Sequence, residues 1–282
     1  MVECSDGKIR HCYPRGKRSE AAVGDQVQVQ ALGEEEGRII DILPRRNLLY
    51  RSDTHRSKQF AANIDLLLIV IATEPQFSNE LLGRALLAAH TEKIPTYIVL
   101  NKVDLEPLVA PARAQLQWVH AIGIEVIELS ALDLSQTLAR LNPLLYDKTT
   151  LLLGQSAMGK STLLNALVPE AQAPTKSHSL ALGAGRHTTT HTRLYHLPHQ
   201  PGCLIDSPGF QSFGLSHLDQ ADLLHGFPEF EHPAQQCRFT NCTHRKEPGC
   251  GVLQHVKTGD ITTERYQLYV RLLGEYEART QY

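Results

Sequence analysis

Gly154-Gln155-Ser156-Ala157-Met158-Gly159-Lys160-Ser161 follows an apolar β-type run, Leu151-Leu152-Leu153, and leads into a helix-forming run that begins Thr162-Leu163-Leu164. A G-x-x-x-x-G-K-S stretch set between a strand and a helix is a phosphate-binding loop, and it fixes the expectation of a P-loop α/β sheet. The chemistry sets the residue types. Glycines let backbone N–H groups turn inward around a polyphosphate. Lys160 reaches the terminal phosphates, the Ser161 hydroxyl ligates Mg²⁺, and the helix N-terminus adds a favourable dipole. Thr162, in the first turn of that helix, completes the expected phosphate-binding set, residues 154–162.

Working outward, Asp206-Ser207-Pro208-Gly209 ends a β-type run at residues 203–205. Asp206 is expected to hold the Mg²⁺ shell through water, and the Gly209 N–H to contact a third phosphate, so that its loss releases the loop. Between the two motifs lies Gly185-Arg186-His187-Thr188-Thr189-Thr190. One threonine here would ligate Mg²⁺ only with the third phosphate present. Thr189 is favoured, with Thr188 and Thr190 open. Upstream, Asn101-Lys102-Val103-Asp104 follows a strand at residues 96–100. A carboxylate at Asp104 accepts from both N1–H and N2–H of guanine, a donor pair adenine lacks. Asn101 and the Lys102 stem would order the loop and cover the base. Ser130-Ala131-Leu132, after the next strand, offers a backbone N–H for guanine O6. An ordinary GTPase runs phosphate loop, switch, guanine loop. Here the guanine loop comes first and the switch last, so the same site would form from a rotated chain.

Phe210 follows the switch where many GTPases carry a glutamine that positions the attacking water. Phenylalanine cannot hydrogen-bond water, so another group must do so, and intrinsic turnover should be slow. His187 is a candidate by its proximity to the switch threonines. A polar loop residue is the equally open reading.

The flanks divide the chain. Residues 61–214 alternate strands (65–72, 96–100, 125–129, 149–153, 192–196, 203–205) with helices (78–90, 111–121, 132–141, 160–167), as in a doubly wound sheet with ligand loops at strand C-terminal ends. Residues 1–60 show short β-type runs and no clear helix, which suggests a small OB-fold barrel. Residues 45–58 read as a linker. Residues 38–58 hold six cations (Arg38, Arg45, Arg46, Arg51, Arg56, Lys58) against two anions, either a functional basic stretch or a solvated loop. In residues 215–282, helices are predicted at 218–226 and 263–277 around a Cys/His segment.

That segment contains Cys237, Cys242, His244 and Cys250. Three thiolates and an imidazole are a closed tetrahedral zinc set, structural rather than catalytic. Cys4, Cys12 and Cys203 lie apart and read as ordinary thiols. Arg238, Arg245 and Lys246 could meet RNA phosphate from this knuckle or simply be solvated. The net charge of −2 excludes a uniformly basic nucleic-acid glove. No secretory signal opens the chain, and the longest apolar run, residues 66–72, is far shorter than the ~20 residues of a membrane span. A cytoplasmic protein without disulfides is expected.

Taken together, the order and identity of these motifs, with Arg15-Gly16-Lys17-Arg18 and Val23-Gly24-Asp25 in the barrel, resemble the RsgA family of circularly permuted bacterial GTPases, the YjeQ/YloQ type. The resemblance covers nearly the whole chain. It implies a multidomain α/β architecture: an N-terminal OB-fold at residues 1–60, a permuted GTPase domain at 61–214 and a mostly helical zinc domain at 215–282. It further implies binding of GTP and GDP with Mg²⁺, one structural Zn²⁺, association of a monomer with the 30S subunit and 16S rRNA late in maturation, and ribosome-stimulated hydrolysis. The family's suspected catalytic histidine falls on His187. Two departures stand out. Ala157-Met158 occupies the place of a common Gly-Val pair, and residues 2–12 resemble the second barrel strand, as if a first were missing.

Three other readings remain at this point: an RNA-binding zinc protein that senses GTP without hydrolysing it, a P-loop small-molecule kinase, and a permuted GTPase of the large subunit. Residues 101–104 disfavour the kinase, and the zinc segment and barrel disfavour the last.

Overall fold

The computed structural model describes residues 1–14, 21–53, 56–174, 192–207, 215 and 217–280. Strands β1 (Val2–Glu3), β2 (Ile9–Tyr13), β3 (Val27–Ala31) and β4 (Glu36–Ile42) form one sheet in the order β1-β2-β4-β3. β2 and β4 run parallel and the other pairs antiparallel. A register shift between Gln28 and Val29 bends β3, as bulges do, and gives the curled half-barrel expected of an OB-like domain. Residues 2–12 are not one strand. They form a hairpin that turns where the Cys4 N–H meets the Lys8 carbonyl at 2.9 Å, with Gly7 at φ 76°.

The expected linker at residues 45–58 is also corrected. β5 (Leu48–Asp53) and β6 (Arg56–Ala62) pair as an antiparallel hairpin. Leu49 and Ala61 lie opposite each other and are fully buried. The cations concealed this alternation, and two of them have internal partners: Arg45 is 2.7 Å from Asp25, and Arg46 pairs with Asp65.

The central sheet has six strands: β7 (Leu66–Ala72), β8 (Thr96–Asn101), β9 (Glu125–Glu128), β10 (Thr149–Gly154), β11 (Arg193–His196) and β12 (Cys203–Asp206). Their order is β11-β12-β10-β7-β8-β9, all parallel except the antiparallel edge strand β11. β7 is buried at every residue, which is why it reads as an unbroken apolar run rather than an alternating one.

Around the sheet lie α1 (Asn79–Thr91), α2 (Glu106–Gln115), α3 (Gln117–Ala121), α4 (Leu134–Leu145) and α5 (Lys160–Leu167). Ser78 caps α1 by accepting from the Leu81 N–H, and Asp133 caps α4 from the Gln136 N–H. The single helix expected at 111–121 is two. Pro107, not Pro111, occupies the first turn, where a missing N–H costs nothing, and Leu116 divides α2 from α3.

The C-terminal segment adds α6 (Gln220–His225), α7 (Glu231–Gln235), α8 (Gly251–Thr258) and α9 (Thr263–Thr280). It shares one apolar core with the central sheet: Phe227, Phe230, Tyr269 and Leu272 belong to the same buried cluster as β7 and β10. Arg265, 3% exposed, is held there by Glu229 at 2.5 Å and lies over the rings of Phe227 and Trp118. Among the described residues no helix is long and apolar enough to cross a membrane.

Candidate nucleotide site and metal cluster

The phosphate loop leaves the C-terminal end of β10 and enters α5 at Gly159. Gly159 sits at φ 86°, and a Cβ there would strike the side-chain amide of Asn101, so both its conformation and its neighbour require glycine. Ala157 also has a left-handed backbone, φ 70°, a conformation that favours glycine. Met158 fills a core position at 2% exposure. Ser156 is exposed, and Gln155, Ser161 and Thr162 are half-buried around the loop and the helix start. The Lys160 ammonium is buried and rests on the Asp206 carboxylate at the end of β12. Beside it the Ser207 hydroxyl donates to the Leu152 carbonyl at 3.1 Å.

Parallel strands with β10 and β8 on either side of β7 bring the residue 101–104 loop against this loop. Asn101, 2% exposed, is the junction. Its Nδ2 donates to the Met158 carbonyl at 2.9 Å, and its Oδ1 accepts from the Ala131 N–H at 2.9 Å and the Lys102 N–H at 2.8 Å. Lys102, at φ 63°, extends its Nζ to the carbonyls of Ala157 (2.9 Å) and Glu74 (2.7 Å). The Val103 N–H meets the Leu129 carbonyl at 3.4 Å. Asp104 is exposed, and among the described residues its carboxylate has no hydrogen bond or ion pair. Ser130 is buried, with its hydroxyl 3.4 Å from the Leu132 N–H, next to the α4 cap. Loops remote in sequence thus converge at the C-terminal ends of parallel strands, where open α/β sheets bind ligands.

Sequence reasoning missed Thr73 and Glu74 as supports, and the contact that Gln155, itself in the expected set, makes with Ser78. Thr73 donates its hydroxyl to the Lys102 carbonyl at 3.0 Å, Glu74 contributes the carbonyl above, and Gln155 Oε1 accepts the Ser78 N–H at 2.8 Å. Only the Gly-rich context of Gln155 gave a local signal for any of them. Residues 185–190, with His187 and Thr189, and residues 208–210, with Gly209 and Phe210, lie outside the described residues.

The metal-ligating candidates also converge. One ligand atom from each of Cys237, Cys242, His244 and Cys250 falls within 4.8 Å of all the others. Cys237 and Cys250 Sγ are 3.8 Å apart, and His244 Nδ1 is 3.5 Å from each. A tetrahedron with Zn–S of ~2.3 Å and Zn–N of ~2.05 Å has edges of ~3.8 and ~3.5 Å, so the donor set fits such an ion. The N–H groups of Gly251 and Leu253 point at Cys237 and Cys250 sulfur at 3.3 and 3.4 Å, as a thiolate would attract them. Burial pushes the Cys242 thiol up to about 12 against a bond from the His244 N–H, and burial also raises Cys250 and lowers His244. All three shifts favour the neutral forms until a cation compensates.

The Glu247 carboxylate stitches the ligand loop together. It accepts from the Thr243 N–H and hydroxyl at 2.8 and 2.6 Å and from the N–H groups of Arg245 and Lys246 at 3.0 Å. Burial pushes Glu247 up, but these bonds outweigh it and hold the carboxyl well below its usual range. Arg245 is engaged by Glu277 at 2.5 Å, whereas Arg238 stacks over the exposed ring of Phe239. Cys4, Cys12 and Cys203 are half-buried free thiols outside the cluster.

Comparison with known proteins places the chain as a whole. The family model for the RsgA GTPase matches residues 42–216. A small ribosomal subunit biogenesis GTPase RsgA of Bordetella pertussis is 56% identical over 281 residues, covering 100% of this chain and 94% of the relative. The protein of the same name from Paraburkholderia phymatum is 52% identical over 277 residues, 98% of this chain and 87% of the relative. The crystal structure of YjeQ from Thermotoga maritima superposes with a TM-score of 0.72 at 28% identity, over 96% of this chain and 91% of that one. That of YloQ, described as a circularly permuted GTPase, gives 0.68 at 30% identity, over 97% and 88%. With residues 101–104, residues 154–161 and Asp206 assembled in rotated chain order, this chain belongs to the RsgA GTPase family and is a GTP-hydrolysing enzyme.

Proposed function

We propose that this GTPase binds the 30S ribosomal subunit through 16S rRNA late in its maturation, and that the subunit stimulates GTP hydrolysis. The single observation that carries the reading is identity of 56% along the full chain to a small ribosomal subunit biogenesis GTPase. The domain plan is an RNA-binding OB-fold at residues 1–60, a permuted GTPase domain at 61–214 and a zinc domain at 215–282. The enzyme is read as a cytoplasmic protein that acts as a monomer.

In this reading Asp104 selects guanine, and Asn101, Lys102, Val103, Ser130 and Ala131 shape the base pocket. Residues 154–162 cradle the phosphates, and Lys160 exchanges its Asp206 partner for the terminal phosphates. Ser161 and Thr189 would hold Mg²⁺, which neutralises phosphate charge when bound, with Asp206 reaching its water shell. Gly209 contacts the third phosphate, and His187 orients the attacking water in place of the side chain that Phe210 lacks. Cys237, Cys242, His244 and Cys250 hold a structural Zn²⁺. The central test is co-sedimentation. Purified protein with a non-hydrolysable GTP analogue should pellet with 30S particles and bring down 16S rRNA. Preferential pelleting with 50S particles would assign it to the large subunit instead.

A further inference from the structure

The phosphate loop is tied to the metal domain by a path that does not pass through the switch. Gln155, inside the loop, accepts the Ser78 N–H at 2.8 Å, and Ser78 is the N-cap of α1. α1 lies against α9. Gly83 approaches so closely that a Cβ would overlap the Leu268 side chain. Arg84 joins Glu80 on its own helix to Glu275 on α9, and Glu80 in turn lies 3.6 Å from Arg271. Trp118, from the same side of the GTPase sheet, stacks under Arg265 of α9.

The same α9 holds the ligand loop. Tyr269 donates its hydroxyl to the Thr243 carbonyl at 3.2 Å, Tyr266 to the Arg245 carbonyl at 3.4 Å, and Glu277 engages Arg245. A displacement of the phosphate loop therefore has a continuous set of hydrogen bonds, ion pairs and one close helix contact along which to reach residues 243–247. The loop has reason to move. Its lysine is engaged by Asp206 in this structure and must turn to phosphate when a nucleotide binds.

We propose that Gln155 is a positioning residue that couples occupancy of the phosphate loop to the seating of the C-terminal metal domain, by way of Ser78, α1 and α9. The inference rests on nucleotide binding at the assigned loop and adds a route separate from the switch. Coupling of this kind is reciprocal, so a partner held by the metal domain would in turn change nucleotide affinity.

Hydrogen–deuterium exchange of the full, zinc-loaded chain tests it, with GDP or a non-hydrolysable GTP analogue bound and with affinity measured in parallel by a fluorescent GTP analogue. In the wild type, exchange at residues 243–247 and 265–277 should differ between the two nucleotides by about 5-fold or more, the lower end of ordinary coupling between sites. Gln155→Ala should remove that difference. Arg84→Ala, remote from the nucleotide, should remove it while leaving nucleotide affinity within about 2-fold, because among the described residues Arg84 binds only Glu80 and Glu275 on the α1–α9 contact and reaches no residue of the phosphate loop. A purely structural role would shift exchange in both nucleotide states equally. Wild-type binding with no nucleotide-dependent difference overturns the inference, as does a difference that persists in either variant. Absence of nucleotide binding by the wild type would instead overturn the underlying site assignment.

Discussion

Lys160 and Asp206 form a buried ion pair between the phosphate loop and the end of β12, at 7% and 3% side-chain exposure. The two residues are far apart in sequence, and parallel pairing of β10 with β12 brings them together: Leu152, two residues before Gly154, is in register with Asp206. A buried carboxylate deprived of its cation is costly, so this pair has a folding role besides the nucleotide role proposed for Lys160.

Lys160→Ala should therefore do two separable things. Nucleotide binding should fall by at least about 100-fold, equivalent to ~2.7 kcal/mol. Thermal stability should also drop, by an amount on the order of 3 kcal/mol for a broken buried pair. Adding Asp206→Asn to Lys160→Ala should recover much of the stability and none of the binding. Calorimetry and nucleotide titration of both variants check this. Recovery of binding in the double variant would remove Lys160 from the phosphate contacts.

Ala157 offers a prediction in the opposite direction. At φ 70° an alanine costs roughly 1 kcal/mol relative to a residue without a Cβ. Ala157→Gly should leave the fold intact and raise stability by at most a few tenths of a kcal/mol, roughly 1 kcal/mol of relieved strain less the ~0.4–1 kcal/mol of extra chain entropy that glycine brings. Urea unfolding midpoints compare the two proteins. A loss of stability would mean that the strain is not felt here.

The sheet was the most legible part of the chain because its signals are local. β7 declares itself by an unbroken apolar run, and the phosphate loop by glycine, lysine and serine at fixed spacing. The Cys/His set was legible for the same reason: metal-ligating residue types are rare and crowded into residues 237–250. What sequence hid was long-range pairing. Nothing near Asn101 says that its amide will bridge Met158 and Ala131, because that geometry comes from the strand order. Nothing in residues 45–58 outweighed their cations, so a hairpin read as a linker. Arg45 and Arg46 find Asp25 and Asp65 only after folding.

Metal removal should act on one end of the molecule. Burial raises the thiols of Cys242 and Cys250, so in metal-free protein they keep their protons at neutral pH, and uptake of the proposed zinc must release them. Zinc affinity should then fall as pH falls, because protons compete for the same sulfur atoms. A chelator should increase exchange and proteolysis across residues 228–260 while guanine nucleotide still binds the loop at residues 101–104. Zinc retention followed against pH by a chromogenic chelator gives the sign. Affinity that rose on acidification would exclude thiolate ligation.

His187→Ala separates binding from turnover. GTP affinity should change by less than about 3-fold, since the residue is assigned to water rather than phosphate. Stimulated hydrolysis should fall by about 100-fold or more, the usual size of a lost proton-handling or water-positioning group. Unchanged stimulated turnover in a single-turnover assay would leave His187 a polar loop residue.

The most direct test of the whole account is the single-turnover rate of GTP hydrolysis by the wild-type protein alone, with 30S subunits and with 50S subunits. Slow intrinsic turnover, at least about 10-fold faster with 30S particles and unchanged by 50S particles, is the predicted result, a 10-fold gain being ~1.4 kcal/mol off the barrier. Equal rates under all three conditions would contradict it.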